Sequence, residues 1–154
     1  MKIVELNTKK LVGIRVVCPG EQYVSEIPRA VEQLKERLSE IKEVVNPARL
    51  IGAFVAGDFS EEEDGYWVCV EVDEVKEVPA GMVSIVVPGQ KYAVLRHTGP
   101  NTEIRNSYEK LHQWIADNQH ERLPRAWHLE ITEEWGQKGA VGNDIVTDLY
   151  DTIK

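Results

Sequence analysis

The chain has 154 residues, 42% of them apolar and 29% charged, which suits a single globular domain (1–154) and excludes wholesale disorder. Twenty-six acidic residues against 18 basic ones leave a formal net charge of -8, which argues against a broad electrostatic footprint on nucleic acid. No stretch approaches the roughly 20 apolar residues of a membrane span, and Glu5 interrupts the short apolar run at the N-terminus too early for a signal peptide. A cytoplasmic location is therefore expected. The first strand signal begins at Ile3 and leaves no N-terminal room for a DNA-binding module, so no direct contact with nucleic acid is expected. Cys18 and Cys69 do not make a disulfide framework and read as two reduced thiols.

Leu11 to Val17 is a β-branched, mainly apolar run that stops at Pro19-Gly20, the pattern of a strand. From Ser25 onward Ile27, Val31, Leu34, Leu38, Ile41 and Val45 recur at steps of three and four, which predicts an amphipathic helix closed by Pro47. Leu50 to Ala56 and Tyr66 to Val72 follow as strands, joined by an acid-rich hairpin loop from Gly57 to Gly65. Its successive glutamates cannot all point at one ion, so the loop reads as a solvated turn.

The same plan then starts again. Lys91 to Arg96 sets its Lys and Arg against Lys10 and Arg15, and Gly99-Pro100 ends the strand. Ile104 to Ile115 aligns without gaps on Ile27 to Leu38, matching Ile27 with Ile104, Val31 with Tyr108, Leu34 with Leu111 and Leu38 with Ile115. Trp127 to Thr132 and Ile145 to Ile153 complete a second strand pair. The order strand, helix, strand, strand thus occurs twice, in repeats of about 1–75 and 76–154. An α+β fold follows: two β-α-β-β units pair into an antiparallel sheet with both helices on one face and a ligand groove between the halves on the other. In this alignment Glu130 falls where the first copy has Phe54, which isolates one acid as a candidate for chemistry.

The residues Leu123-Pro124-Arg125-Ala126-Trp127-His128-Leu129-Glu130-Ile131 resemble the signature of the GyrI-like small-molecule-binding family, the effector-binding domains of bacterial transcription regulators. Supporting segments are Val78-Pro79-Ala80-Gly81-Met82, Val87 to Val94 and His97-Thr98-Gly99-Pro100. That signature is a proline followed by Phe-Glu-x-Tyr; Leu129 replaces the Phe and Thr132 the Tyr. The resemblance spans essentially the whole chain and implies a hydrophobic, aromatic-lined groove with an acid at its centre. In the regulators such a groove takes lipophilic cationic drugs; stand-alone relatives include a gyrase inhibitor and hydrolases of cyclopropane-bearing genotoxins.

Alternation places His128, Glu130 and Thr132 on one face of their strand, and Trp127, Leu129 and Ile131 on the other, the apolar set facing the helices. Glu130 then opens onto the groove with Trp67, Cys69 and Glu71 from the first copy. Phe54 shares the groove parity, whereas Tyr66 has the opposite one. Trp135, in the loop after the Glu130 strand, is a second aromatic wall beside Trp67. The resemblance also nominates Asp148 as a second acid, although an edge-strand charge that discourages aggregation explains it as well. The four histidines show no metal-ligand spacing and no phosphate-binding glycine loop occurs, so neither metal nor cofactor is expected.

An ionised carboxylate among aromatic rings pairs with a desolvated cation; one partly protonated by burial acts as a general acid or base. Three functions fit. The first is capture of an amphipathic, cationic small molecule with Glu130 as counter-ion. The second is hydrolysis of cyclopropane-bearing genotoxins with Glu130 as the catalytic group, and the third is inhibition of a larger protein partner.

Overall fold

The computed structural model describes residues 1–56, 60–135 and 144–154. Strand β1 (Lys2–Leu6) precedes β2 (Lys9–Val16), helix α1 (Tyr23–Arg37), β3 (Arg49–Val55) and β4 (Tyr66–Val72). Strand β5 (Val83–Val87) precedes β6 (Gln90–Pro100), α2 (Ile104–Asp117), β7 (Trp127–Glu133) and β8 (Asp144–Ile153). The repeated plan therefore carries one more strand per copy than the sequence pattern implies. All eight strands form one antiparallel sheet in the order β1-β6-β8-β7-β3-β4-β2-β5. The copies exchange their leading strands, β1 pairing with β6 of the second copy and β5 with β2 of the first.

That exchange forces the sheet to curl. β1 and β2 lie six places apart in the sheet, as do β5 and β6, yet each pair is joined by only two residues, 7–8 and 88–89. Six strand spacings of a flat sheet cover about 29 Å. Three Cα steps span at most about 11 Å. The two ends must therefore swing round toward one another and enclose the inner face. Ile51, Ala53, Trp67, Cys69, Leu129 and Ile131 from the central strands fill it, packed with Val4, Leu6, Val83 and Ile85 from the two wings.

Both helices cover the outer face. α1 sets Ala30 and Leu34 on Val12, Val68, Val70 and Val72, and α2 sets Leu111 and Ile115 on Ala93, Leu149 and Ile153. Each fully buried aliphatic side chain contributes roughly 1.5–3 kcal/mol. The apolar set of β7 thus faces away from the helices, and the groove lies on the helix side, between α1 and α2. The reason is closure: a curled sheet needs an apolar inner face of its own, which alternation within one strand cannot reveal.

The first helix ends eight residues before Val45, passing at Arg37 into a 3₁₀ turn over Leu38–Glu40. β3 pairs with β4 only over Ile51–Ala53, which leaves the edge of β4 open beyond Cys69. Residues 43–45 fill that edge, Val45 N donating to Glu71 O at 2.9 Å and Asp73 N to Glu43 O at 3.0 Å. Ile41 is buried and Val44 bridges to Val72, so the apolar spacing is kept in a chain that is no longer helical.

Curling is tight at Gly13, where a Cβ would stand 1.9 Å from the carbonyl oxygen of Val68 and 2.7 Å from the Cα of Cys69. Gly13→Ala is expected to cost about 3 kcal/mol or more, since the atoms in the way are backbone of β4 and not the end of a flexible side chain. A urea denaturation midpoint equal to that of the unsubstituted protein would contradict this.

Candidate functional site

Where α1 and α2 part, a groove of about 920 Å³ opens over β3 and β7. Val24, Ile27, Pro28 and Val31 of α1 form one wall; Thr98, Asn101, Thr102 and Ile104 around the start of α2 contribute the other. His97 fixes that second wall, one ring nitrogen 2.7 Å from the Ser107 hydroxyl on α2 and the other 3.1 Å from the carbonyl oxygen of Pro100. Leu50, Gly52, Val68, Glu130, Thr132 and Thr147 line the floor.

The centre of the floor is Glu130. Tyr66 from β4 donates its hydroxyl to one carboxylate oxygen at 2.6 Å, and Tyr108 from α2 donates to the other at 2.5 Å. Phe54 stacks on Tyr66 at 5.9 Å between ring centroids and meets Tyr108 edge-on at 6.4 Å. Burial raises the pKa of Glu130 above its ordinary value, against the opposing effect of the Tyr108 and Tyr66 hydrogen bonds, which favour the ionised form. Both tyrosines are pushed well above theirs, by burial first and then by the neighbouring carboxylate, and stay protonated donors. Among the described residues no lysine or arginine forms an ion pair with Glu130. The half-buried carboxylate is held by the hydroxyl dipoles of Tyr66 and Tyr108.

The structure brings some of the nominated residues together and separates others. Glu130, Thr132 and Trp135 line the groove, Trp135 standing at its mouth with its indole N–H donating to Pro47 O at 2.8 Å. Phe54 and His128 share the Glu130 face, as their pairing across β3 and β7 requires, and lie behind the lining. Trp67 and Cys69 belong to the inner core, because Ala53 and Ile51 pair with them on one side and with Leu129 and Ile131 on the other. Glu71 has the same parity as Cys69 and pairs with Lys9 at 3.3 Å. Asp148 pairs in register with Ile131, which puts it on the face opposite Glu130, where it bonds Arg96 at 2.8 Å. Trp67, Cys69 and Glu71 stand away from the groove because the register of β4 against β3 is one residue off from the parity assumed between the copies, and Asp148 because β8 pairs it with Ile131 of the inner face.

The same register corrects the comparison of Glu130 with Phe54. Lys10 and Lys91 correspond, and they pair with Val72 and Ile153. Counting back three residues matches Cys69 with Tyr150, whose partners on the next strands are Ile51 and Leu129. The counterpart of Glu130 is therefore Gly52, which lies directly opposite it in the β3–β7 ladder. Tyr66 and Tyr108, the two groups bonded to Glu130, were not nominated by the sequence pattern. Tyr108 carried one signal, as an aromatic where the first helix has Val31; Tyr66 carried none without the register.

His128 belongs to a second polar group beneath α2. Asp151 is wholly buried and lies 2.8 Å from Arg122 Nε, 2.8 Å from His112 Nε2 and 3.2 Å from His128 Nδ1. By the same correspondence it replaces Val70, so an acid has entered a core position and is held there by cationic or titratable neighbours. His112 Nε2 and Asp151 Oδ1 are buried without a well-formed hydrogen bond. Among the described residues no group of His, Cys, Asp or Glu is arranged to hold a metal ion.

Residues 2–150 match the family model Cass2, described as integron-associated effector binding protein, and the chain belongs to that family. Comparison by sequence with curated proteins finds no match. Among solved structures the fold is similar to that of SAV2435 bound to tetraphenylphosphonium, with 17% identity, a TM-score of 0.73, and coverage of 99% of this chain and 93% of that one. It is also similar to the EcmrR C-terminal domain, with 18% identity, a TM-score of 0.70, and coverage of 99% and 96%. A hydrolase from Listeria innocua matches at 13% identity with a TM-score of 0.59, over 99% of this chain and 91% of that one. No helix among the described residues is long and apolar enough to cross a membrane.

Burial pulls the pKa of His128 down to about 4, against the opposing pull of Asp151, so the ring is neutral at pH 7. Protonation is then easier in the unfolded chain, and stability from this residue is lost as pH falls below about 6.5 and levels off near 4. The loss reaches roughly 3 kcal/mol. Glu130 acts with the opposite sign, its raised pKa favouring proton uptake by the folded state. The measurement is therefore the difference in urea stability between the parent and His128→Gln at pH 7 and pH 4.5. The gap is expected to narrow or reverse at the lower pH, and a constant gap would show that His128 does not contribute.

Proposed function

We propose that the protein captures an amphipathic, cationic small molecule in the groove, with Glu130 as its counter-ion. The observation that carries this reading is the uncompensated carboxylate. Burying a negative charge is costly unless it is paired, and a ligand cation supplies the pairing that the described residues do not. Five of the described lining residues are acidic, Glu32, Glu130, Glu133, Glu134 and Asp144, and none is Lys, Arg or His. Glu133 is paired with Arg49 at 2.8 Å, and the balance of charge among the described lining residues remains acidic, which favours cations over anions. Tyr66 and Trp135 supply aromatic surface to the groove, and the aliphatic wall of α1 takes the apolar part of the ligand. SAV2435 holds tetraphenylphosphonium on the same fold.

Tetraphenylphosphonium titrated into the protein is expected to quench tryptophan fluorescence saturably. Glu130→Gln keeps the shape of the side chain and removes its charge, and is expected to weaken binding by roughly tenfold or more. Unaltered affinity in that variant would sink the counter-ion role. Because a bound cation favours the ionised carboxylate, affinity should decline as pH falls through the pKa of Glu130, a decline already under way above 4.5.

One observation favours a second reading. A carboxyl group with a raised pKa between two phenol hydroxyls is suited to proton transfer, and a Listeria innocua hydrolase shares the fold. In this reading Glu130 protonates, or activates water toward, a strained electrophile. Incubation with a cyclopropane-bearing alkylator followed by mass spectrometry separates the two: a ring-opened product formed by the parent and not by Glu130→Gln makes the protein an enzyme.

A further inference from the structure

The Tyr66 hydroxyl reaches Glu130 from two strands away. β4 and β7 flank β3, so the two backbones stand about 10 Å apart, and the two side chains must meet above β3. The residue beneath that meeting point is Gly52, paired with Val68 on one side and with Glu130 on the other. A Cβ on Gly52 would stand 1.8 Å from the Tyr66 hydroxyl oxygen, 2.5 Å from Cζ and 3.0 Å from Cε1. Its neighbours on this face of β3, Leu50 and Phe54, are large, and Phe54 lies nearly parallel to the Tyr66 ring, 18° between planes. The tyrosine thus lies in a gap one side chain wide.

We infer that Gly52 is a positioning residue for the ligand site: its missing side chain opens the passage through which Tyr66 crosses β3 and holds the Glu130 carboxylate toward the groove. The duplication supplies an independent observation. In the first copy the β3 position is empty and β4 provides a long side chain, Tyr66. In the second copy the equivalent β7 position holds Glu130, and the residue of β8 that corresponds to Tyr66 is the short Thr147, hydrogen-bonded to Thr132 at 2.9 Å. Glycine with tyrosine in one half and glutamate with threonine in the other fit together as one unit across the axis of the repeat. Filling the space above Gly52 would break the contact.

This inference rests on the Tyr66–Glu130 contact and gains its purpose from the proposed cation site, so it is tested with and without ligand. Without ligand, the titration of the Glu130 side-chain carboxyl carbon is followed by NMR in the parent, Gly52→Ala, Tyr66→Ala and the double variant. A phenol bond favours the ionised carboxylate, so Gly52→Ala is expected to raise the titration midpoint in the direction and by about the amount that Tyr66→Ala does. Once Tyr66 is absent, adding the alanine at position 52 should shift it little further. Tetraphenylphosphonium affinity should fall by about tenfold in Gly52→Ala, with the loss again absorbed in the Tyr66→Ala background.

A midpoint unchanged in Gly52→Ala, or equal shifts from that change with and without Tyr66, overturns the positioning role. If Gly52→Ala alone does not fold, a double variant that folds like Tyr66→Ala supports the clash as its cause, and a double variant that also fails to fold overturns it. If the midpoints move as expected while the parent binds no tetraphenylphosphonium, the positioning of Glu130 stands and the cation-binding reading falls.

Discussion

The constraint on which the rest of the molecule depends is the shortness of two connections, residues 7–8 and 88–89, each joining strands that lie six places apart in one sheet. Chain geometry leaves curling as the solution, and curling creates an inner face that must be apolar. Trp67, Cys69, Leu129 and Ile131 are therefore committed to the inner core, and the helices are confined to the outside. The groove follows by subtraction. It is the part of the outer face that α1 and α2, each seated over its own half, leave uncovered along the axis of the repeat.

On that axis the two copies stop being equivalent. A duplicated fold presents matched positions at its centre, and here they hold Gly52 and Glu130. A second glutamate opposite the first would place like charges across a strand pair, which is destabilising. Glycine avoids that and admits Tyr66. A charged group that would be costly alone is held by two phenols, one from the sheet and one from α2. Tyr108 also ties the helix to the floor, so the acid is linked to the separation of the walls.

The second departure from symmetry, Asp151 for Val70, lies off the axis beneath α2, where Arg122 balances its charge and the His112 and His128 rings stand beside it. The contrast between the two acids is informative. One has basic or titratable partners at salt-bridge distance, and the other has hydroxyl donors and open space. The first acid is met by a guanidinium and two imidazoles beneath α2, and the second by Tyr66 and Tyr108 on the floor of the groove.

The sequence by itself determined the repeat, the identity of both helices, the four strands that follow them and the parity of Glu130, Thr132 and Phe54. All of these rest on periodicity, which is local and survives without knowledge of partners. Only the tertiary structure decided which face of the sheet the helices cover, that β1 and β5 are exchanged between copies, and that Gly52 rather than Phe54 is the counterpart of Glu130 in the first copy. It also moved Trp67, Cys69, Glu71 and Asp148 away from the groove and brought Tyr66 and Tyr108 into it. The physical reason is register: side chains alternate with period two, so sliding one strand past its neighbour by a single residue exchanges the groove set for the core set. That choice is made by contacts between segments far apart in the chain, and no single segment carries it.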